Sequence, residues 1–182
     1  MKALLVTVAL ASLLVPQATA RAAVISIGGS PAHSCYLSAE QERHDQKAIQ
    51  ECSDALGAAA GDDRVATYVN RGILYLLSKK IDAATRDFDA ALSLDPVQPE
   101  AYLNKSVALH NSGMSSGAVA MATRAIELRT AKPALAYFVR GLSHEDGGNL
   151  PAAYADLVRA RDLDPRWRAP AEELKRYRRA RR

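Results

Sequence analysis

Residues that could support catalysis or bind a metal are few in this sequence, and they are scattered along it. His33 and Cys35 could form half of a metal site, but no second pair follows at a spacing typical of zinc ligands. The triplet HED (144–146) lacks the second histidine of a helical zinc motif, and IGGS (27–30) is neither a nucleophile elbow nor a phosphate-binding loop. We therefore expect no enzyme activity, no metal and no cofactor.

The two cysteines suggest disulfide chemistry instead. Cys35 and Cys52 are 17 positions apart, and the sequence has neither the CxxC of a thioredoxin-type motif nor the CxxCH of an attached haem. An even number of cysteines usually forms disulfides outside the cytosol, whereas cytosolic thiols stay reduced. Whether the two cysteines form a disulfide therefore depends on the compartment in which the protein resides.

The first twenty residues are typical of an export signal. Lys2 precedes a 13-residue apolar stretch (3–15), and Ala18 and Ala20 form a small-x-small cleavage pattern. Thirteen apolar residues are too few for a membrane span, which needs about 20. We expect cleavage after Ala20, with a second candidate site after Ala22. The mature chain is then periplasmic or secreted, and it is not an integral membrane protein.

The composition favours packed helices as the elements that position these residues. Of the 182 residues, 48% are hydrophobic, 24% are charged and only 5% are aromatic, and alanine is abundant. Alanine favours helices, whereas a sheet would need more β-branched and aromatic residues. The expected fold class is all-α.

The sequence also repeats with a period close to 34 residues. ALSLDP (91–96) returns as ARDLDP (160–165), and the residues upstream of the two prolines match at a separation of 69. A third set falls 34 positions after the first, with Thr130 where the closing proline would be. Three units in register indicate a repeat architecture. The matched positions are Tyr68, Gly72, Tyr75, Ala84, Phe88 and Ala91; then Tyr102, Ser106, Leu109, Ala118, Ala122 and Ala125; then Tyr137, Gly141, His144, Ala153, Leu157 and Ala160.

These units resemble the tetratricopeptide repeat (TPR). The stretches 68–96 and 137–165 match its pattern well, whereas the middle unit lacks the proline and has Ala122 where a larger residue is usual. The resemblance implies a solenoid of helix–turn–helix units, and each unit indeed has two apolar-periodic runs separated by turn residues. The implied repeats are 65–98, 99–132 and 133–165.

Two charged pairs recur within the repeats. Arg71 and Asp87 are 16 positions apart, and Arg140 and Asp156 occupy the equivalent positions. In an antiparallel helix pair this spacing places the two charges across the hairpin, so we predict structural ion pairs. Two solvated charges, which would add little stability, are the alternative. The middle unit has Lys105 at the first position and no acidic residue at the second.

The segment before the repeats, residues 33–63, is interpreted as a degenerate first hairpin. In the repeat register Cys52 takes the position of Phe88 and Cys35 that of an arginine, so a disulfide would replace the ion pair. Its closed loop would stabilise the fold by about 3 kcal/mol on a chain-entropy model. Two buried free thiols are the alternative. Residues 21–32 are expected to be a flexible leader.

The C-terminal residues 166–182 are strongly basic. They contain eight Lys and Arg against two Glu, a net charge of +6, whereas residues 21–165 sum to about −3. Trp167, Leu174 and Tyr177 suit a helix that packs on the third repeat and caps the array. The charge could also bind an anionic envelope component, whereas nucleic acid is not favoured, because the aromatic residues belong to one short helix. The basic residues at its end are Lys175, Arg176, Arg178, Arg179, Arg181 and Arg182.

The resemblance further implies a partner-binding groove, lined by the first helix of each unit. The set is mainly apolar, although part of it could be ordinary core. Family members that hold a peptide carboxylate use Lys, Asn and Arg at inner positions, of which only Asn104 is matched here. We therefore expect an apolar partner segment, such as an amphipathic helix or the chain's own N-terminal run. The groove residues are Val69, Ile73, Leu76, Leu103, Val107, His110, Phe138, Leu142 and Glu145.

These patterns predict a non-catalytic protein-binding module in the periplasm or outside the cell. The alternative is an envelope-tethering module, whose basic tail binds anionic polymer or lipid. Salt separates the two, because binding through the tail weakens with ionic strength and binding in an apolar groove does not.

Overall fold

The computed structural model describes residues 30–179, with side chains as far as Tyr177, and in this range it contains nine α-helices and no strand. The predicted signal peptide and most of the predicted leader lie outside the described residues. The helices are α1 (Pro31–Glu40), α2 (Gln46–Ala58), α3 (Gly61–Leu77), α4 (Ile81–Leu94), α5 (Pro99–Asn111), α6 (Ser115–Glu127), α7 (Pro133–Asp146), α8 (Leu150–Leu163) and α9 (Arg168–Arg179).

Local capping residues mark the start of several helices, among them α1 and α8. The side chain of Ser30 accepts a hydrogen bond from the His33 amide, and Pro31 occupies the first turn of α1, where its missing N–H costs nothing. Pro31 and the buried Ala32 therefore belong to α1 and not to the predicted leader. Asn149 caps α8 in the same way, by accepting from the Ala152 amide.

The helices pack as consecutive antiparallel hairpins that stack into a solenoid. The three repeats are α3 with α4, α5 with α6 and α7 with α8; α1 and α2 pack before them on α3, and α9 packs after them on α8. The first helix of each unit also contacts the first helix of the next, from α1 through α3 and α5 to α7. These first helices form the inner side of the array.

Close approach within each hairpin depends on one small residue facing one core residue. A Cβ placed on Gly72 would lie 2.4 Å from a ring carbon of Phe88, and one on Gly141 would lie 3.2 Å from the Leu157 side chain. The middle unit has a Cβ at this position, in Ser106, and in that unit the facing core residue is the small Ala122, which is fully buried. A larger residue on the first helix is thus matched by a smaller core residue on the second.

The middle repeat ends without a proline through a polar loop. Arg129 has a φ of 61°, and the Thr130 amide that follows bonds the Ala125 carbonyl at 3.0 Å, which ends α6. The carboxylate of Glu100 then accepts a hydrogen bond from the Ala131 amide at 3.0 Å. Thr130, which stands where the proline would be, is buried.

The cysteines are joined. The Sγ atoms of Cys35 and Cys52 are 2.11 Å apart, at bonding distance, and the Cα atoms are 4.8 Å apart, within the usual range for a disulfide. The bond links α1 to α2, and both residues are fully buried in the cluster that also contains Phe88.

Candidate partner-binding surface

The structure brings both predicted charged pairs together. Arg71 donates from Nε to Asp87 Oδ2 and from Nη2 to Oδ1, both at 2.7 Å. Arg140 makes the same two bonds to Asp156, both at 2.8 Å. Both aspartates are buried, and this hydrogen bonding raises the pKa of Arg140 above its ordinary value. The pairs fasten the two helices of one hairpin and leave no group free for chemistry.

The residue at the position of Arg71 also links each repeat to the unit before it. This link was not predicted from the sequence. Arg71 Nη1 donates to Ser53 Oγ at 3.0 Å, and Arg140 Nη1 donates to Thr123 Oγ1 at 3.2 Å. Lys105, which has no partner within its own unit, pairs with Asp89 of the preceding repeat. The 16-residue spacing from Asp89 to Lys105 was present in the sequence as a signal.

In the first repeat the predicted groove residues lie in the core. Val69 and Ile73 are fully buried and Leu76 is 7% exposed. They belong to the cluster that also contains Cys35 and Ala39 of α1, because α1 packs directly on α3. The structure therefore corrects the prediction, since these three side chains line no open groove.

In the third repeat the predicted groove is covered by α9. Phe138 and Leu142 are buried, and Trp167, directly before α9, packs edge-on against Phe138 with ring centroids 4.7 Å apart. Glu145 accepts hydrogen bonds from the Arg176 guanidinium at 2.8 Å and from the Tyr177 hydroxyl at 3.0 Å. Burial and this bond raise the pKa of Tyr177 to about 12. These positions bind the chain's own last helix.

The inner side stays partly open at α5. Leu103 is fully buried, but Val107 and His110 are only partly buried. Val107 packs against both the first-repeat cluster and the cluster that contains Leu103, so it stands where the two join. Of the nine predicted positions, Val107 and His110 are the ones with exposure that α9 does not engage.

His110 makes a polar contact with the next repeat. Its Nδ1 lies 3.2 Å from Ser143 Oγ and 3.3 Å from Asp146 Oδ2, both on α7. A catalytic relay would need the serine and the carboxylate on opposite ring nitrogens and an accessible serine, whereas here both address Nδ1 and Ser143 is fully buried. Burial lowers the pKa of His110, and the charge of Asp146 acts in the opposite direction.

Asn104 adds a buried polar group on the same helix. Its Nδ2 donates to the Glu100 carbonyl at 2.9 Å, but its Oδ1 accepts no hydrogen bond from any described residue. The side chain is fully buried, one turn before the partly open Val107. A buried acceptor without a hydrogen-bond partner lowers the stability of the fold.

The described part of the basic tail is largely neutralised. Lys175 donates to both oxygens of Glu172 at 2.7 Å, and Arg176 pairs with Glu145 and Glu173. Burial raises the pKa of Glu173. The side chains of Arg178 and Arg179, and Arg181 and Arg182 entirely, lie outside what the structure describes.

The described residues contain neither a cluster of metal ligands nor a helix that could span a membrane. Within residues 30–179, no three His, Cys, Asp or Glu side chains lie close enough together to hold a metal ion. Over the same range, no helix combines the length and the apolar character that crossing a membrane requires.

The geometry defines the class of fold. Residues 65–98 match the family model of the tetratricopeptide repeat, and the described residues form a TPR-type solenoid, a fold that suggests a protein–protein interaction module. The two other units and the N-terminal hairpin extend that single matched repeat by the same packing.

Particular solved structures share this fold. The chain is similar to YrrB, described as a TPR protein with an unusual peptide-binding site, at 19% identity and a TM-score of 0.65, covering 80% of this chain and 73% of that one. It is similar to the MamA RS-1 ArsTM double mutant at 18% identity and a TM-score of 0.65, covering 82% and 83%. A chain of the APC/C Cut9–Hcn1 hetero-tetramer is similar at 24% identity and a TM-score of 0.61, covering 76% and 26%. No curated protein matches the chain in sequence.

Proposed function

We propose that the chain is a non-catalytic adaptor of the periplasm or cell exterior, which binds a segment of a partner protein on the inner side of α5. The observation that carries this proposal is the state of the inner side. On α3 the predicted groove residues are buried against α1, and on α7 they are covered by α9. Between them, on α5, the side chains of Val107 and His110 stay partly exposed.

The way α9 binds indicates which kind of partner segment fits. It applies apolar side chains, Trp167 and Leu174, to the third repeat and adds polar bonds from Arg176 and Tyr177 to Glu145. An amphipathic helix of the partner would place an apolar residue on Val107 in the same manner and a polar group near His110.

Export is part of the proposal and rests on two independent features. The N-terminal 20 residues have the pattern of a signal peptide, and the buried pair Cys35–Cys52 lies at disulfide distance. Edman sequencing of the protein purified from its native envelope tests export directly. We expect Arg21 as the first residue; a chain that starts at Met1 in the cytosol would contradict the proposal.

Affinity capture tests the binding surface. The bait is the chain from residue 21, beside a Val107→Gln variant and an Ala120→Gln control, which places the same side chain at an exposed position of α6. Identical melting temperatures would establish that both variants fold. A protein retained by the wild-type and control baits, and lost with Val107→Gln, is the expected result. Equal capture by all three baits would contradict binding at α5.

The salt dependence of capture separates the envelope-tethering alternative. A partner held by apolar contact with Val107 on α5 should remain bound at about 1 M salt, where the Debye length is about 3 Å. Capture that disappears at this salt and after removal of residues 178–182 would instead identify the basic tail as the binding element.

A further inference from the structure

Charge is distributed unevenly along the array, with opposite signs at its two ends. Residues 30–63, the acidic end, contain seven carboxylates and two Lys or Arg, whereas residues 166–182, the basic end, contain eight Lys or Arg and two carboxylates. The repeats between them, residues 64–165, are nearly neutral, with twelve basic and eleven acidic residues. The acidic end packs on α3 and the basic end on α8, so the repeats hold the two charges apart.

On its outward side the acidic end has an open cleft, which no described residue outside residues 31–54 lines. This cleft of about 580 Å³ lies between α1 and α2, and no residue of α3 lines it, so it faces away from the array. Leu37, which is 39% exposed, provides an apolar part of its lining, and Glu51 and Asp54 provide two carboxylates. Glu51 pairs with Arg43 at 3.2 Å and with Lys47 at 4.0 Å, whereas Asp54 faces no cation of the described residues and accepts a hydrogen bond from the Gln50 side-chain amide at 2.8 Å.

The basic end has the complementary chemistry. Lys175 and Arg176 are paired with glutamates, but the sequence continues through Arg178, Arg179, Arg181 and Arg182 without any acidic residue. A guanidinium binds a carboxylate through two parallel hydrogen bonds, and its methylene stem can lie along an apolar side chain such as Leu37. The cleft contains both kinds of surface.

We propose that the arginine-rich end of one copy docks in the α1–α2 cleft of a second copy. The contact is not possible within one chain, because six helices, each about 8–10 Å from the next, separate α2 from α9. Two different surfaces meet in this contact, so it is heterologous, and it produces either a ring or an open head-to-tail chain. It is independent of the partner proposed for α5.

Two neutralised variants test this contact. The first, Glu51→Gln/Asp54→Asn, removes carboxylates from the cleft, and the second replaces Arg178, Arg179, Arg181 and Arg182 by Gln. The control, Asp82→Asn/Glu127→Gln, removes two exposed carboxylates from the middle of the array. All are made in the chain from residue 21, and melting temperatures confirm that each variant folds. The readout is sedimentation velocity at chain concentrations up to about 1 mM.

At about 10 mM salt, where the Debye length is about 30 Å, the wild type and the control should sediment as concentration-dependent assemblies, and at about 1 M salt as monomers. Each neutralised variant alone should stay monomeric, because it keeps one half of the contact. Their equimolar mixture should form a 1:1 dimer and nothing larger, because only one intact pair of surfaces remains. A monomeric wild type at low salt, assembly of either neutralised variant alone, or failure of the mixture to dimerise would each overturn the proposal.

Discussion

Trp167 packs edge-on against Phe138, with ring centroids 4.7 Å apart, and so joins the start of the last helix to the inner side of the third repeat. Phe138 stands at a position that the resemblance assigns to partner binding, and Trp167 is one of the residues that the sequence predicts to pack on the third repeat. The contact closes the array, because the apolar Phe138 of the last repeat would face solvent if Trp167 and α9 did not cover it.

Replacing Trp167 by alanine should destabilise the fold by about 2 kcal/mol. A fully buried Trp→Ala substitution costs about 3–5 kcal/mol, and Trp167 is only partly buried. Urea denaturation measures the change. Tyr154→Ala is the control, because Tyr154 is an exposed aromatic residue that also contacts α9, through Tyr177, and its loss should cost less than about 1 kcal/mol. Equal costs for the two substitutions would contradict the capping role of Trp167.

The match between Gly72 and Phe88 gives a second prediction. Gly72→Ala should destabilise the chain by about 1–3 kcal/mol, because the new Cβ would meet the buried ring at 2.4 Å. Gly57→Ala should not, since an added Cβ there meets no atom within 4 Å and alanine favours the helix. Thermal denaturation compares the two variants.

A double substitution shows whether the repeats share one packing rule. Gly72→Ser with Phe88→Ala gives the first repeat the pair that the middle repeat has, Ser106 and Ala122. The double variant should lose less stability than the sum of the two single variants, because Phe88→Ala removes the ring that the new serine side chain would meet, and that side chain fills part of the cavity left by the ring. Additive losses would show that the small residue and the core residue are not coupled.

The buried ion pairs should contribute far more than exposed ones. Arg71→Ala leaves Asp87 buried without its two charged hydrogen bonds, and we expect a loss of about 3 kcal/mol in the free energy of unfolding. Arg124→Ala breaks the exposed pair with Glu127 and should cost far less, because water screens two exposed charges. Chemical denaturation at neutral pH measures both, and similar losses would mean that burial does not strengthen the Arg71–Asp87 pair.

Much of this architecture can be predicted from the sequence, because the repeat fixes it locally. The aromatic, small and alanine positions determine which helix faces meet, and the 16-residue spacing of Arg71 and Asp87 places two charges across one hairpin. The start of α1 was harder to predict, since the capping of His33 by Ser30 is a signal of one residue only.

The candidate binding surface was predicted less well than the fold. The exposure of side chains on the inner side depends on which helices pack at the two ends of the array. The sequence predicts a hairpin before the first repeat and a helix packed on the third, but not that α1 buries Val69 or that α9 covers Phe138. Both helices lie outside the repeats that carry the pattern. Val107 stays partly exposed because α1 and α9 pack at the two ends of the array and leave this part of α5 uncovered.

His110 should make stability depend on pH. Burial lowers its pKa below the ordinary value of about 6.5, so the unfolded chain binds the proton more readily than the folded chain does. The stability that comes from neutral His110 is therefore present above about pH 6.5 and is lost as the pH falls below it. The slope from this group cannot exceed about 1.4 kcal/mol per pH unit.

Unfolding free energies between about pH 7.5 and pH 5 measure this dependence. His110→Asn should flatten the profile below about pH 6.5. An unchanged profile in His110→Asn would show that this histidine does not titrate differently in the folded and unfolded states.

Partner binding at α5 is tested most directly by site-specific photocrosslinking in the native envelope. A photoreactive phenylalanine analogue replaces Val107 in one variant and the exposed Ala120 of α6 in the other. We predict that irradiation yields a discrete crosslinked protein from position 107 and none from position 120. Crosslinking from position 120 alone, or the same product from both positions, would contradict the assignment of the inner side of α5 as the binding surface.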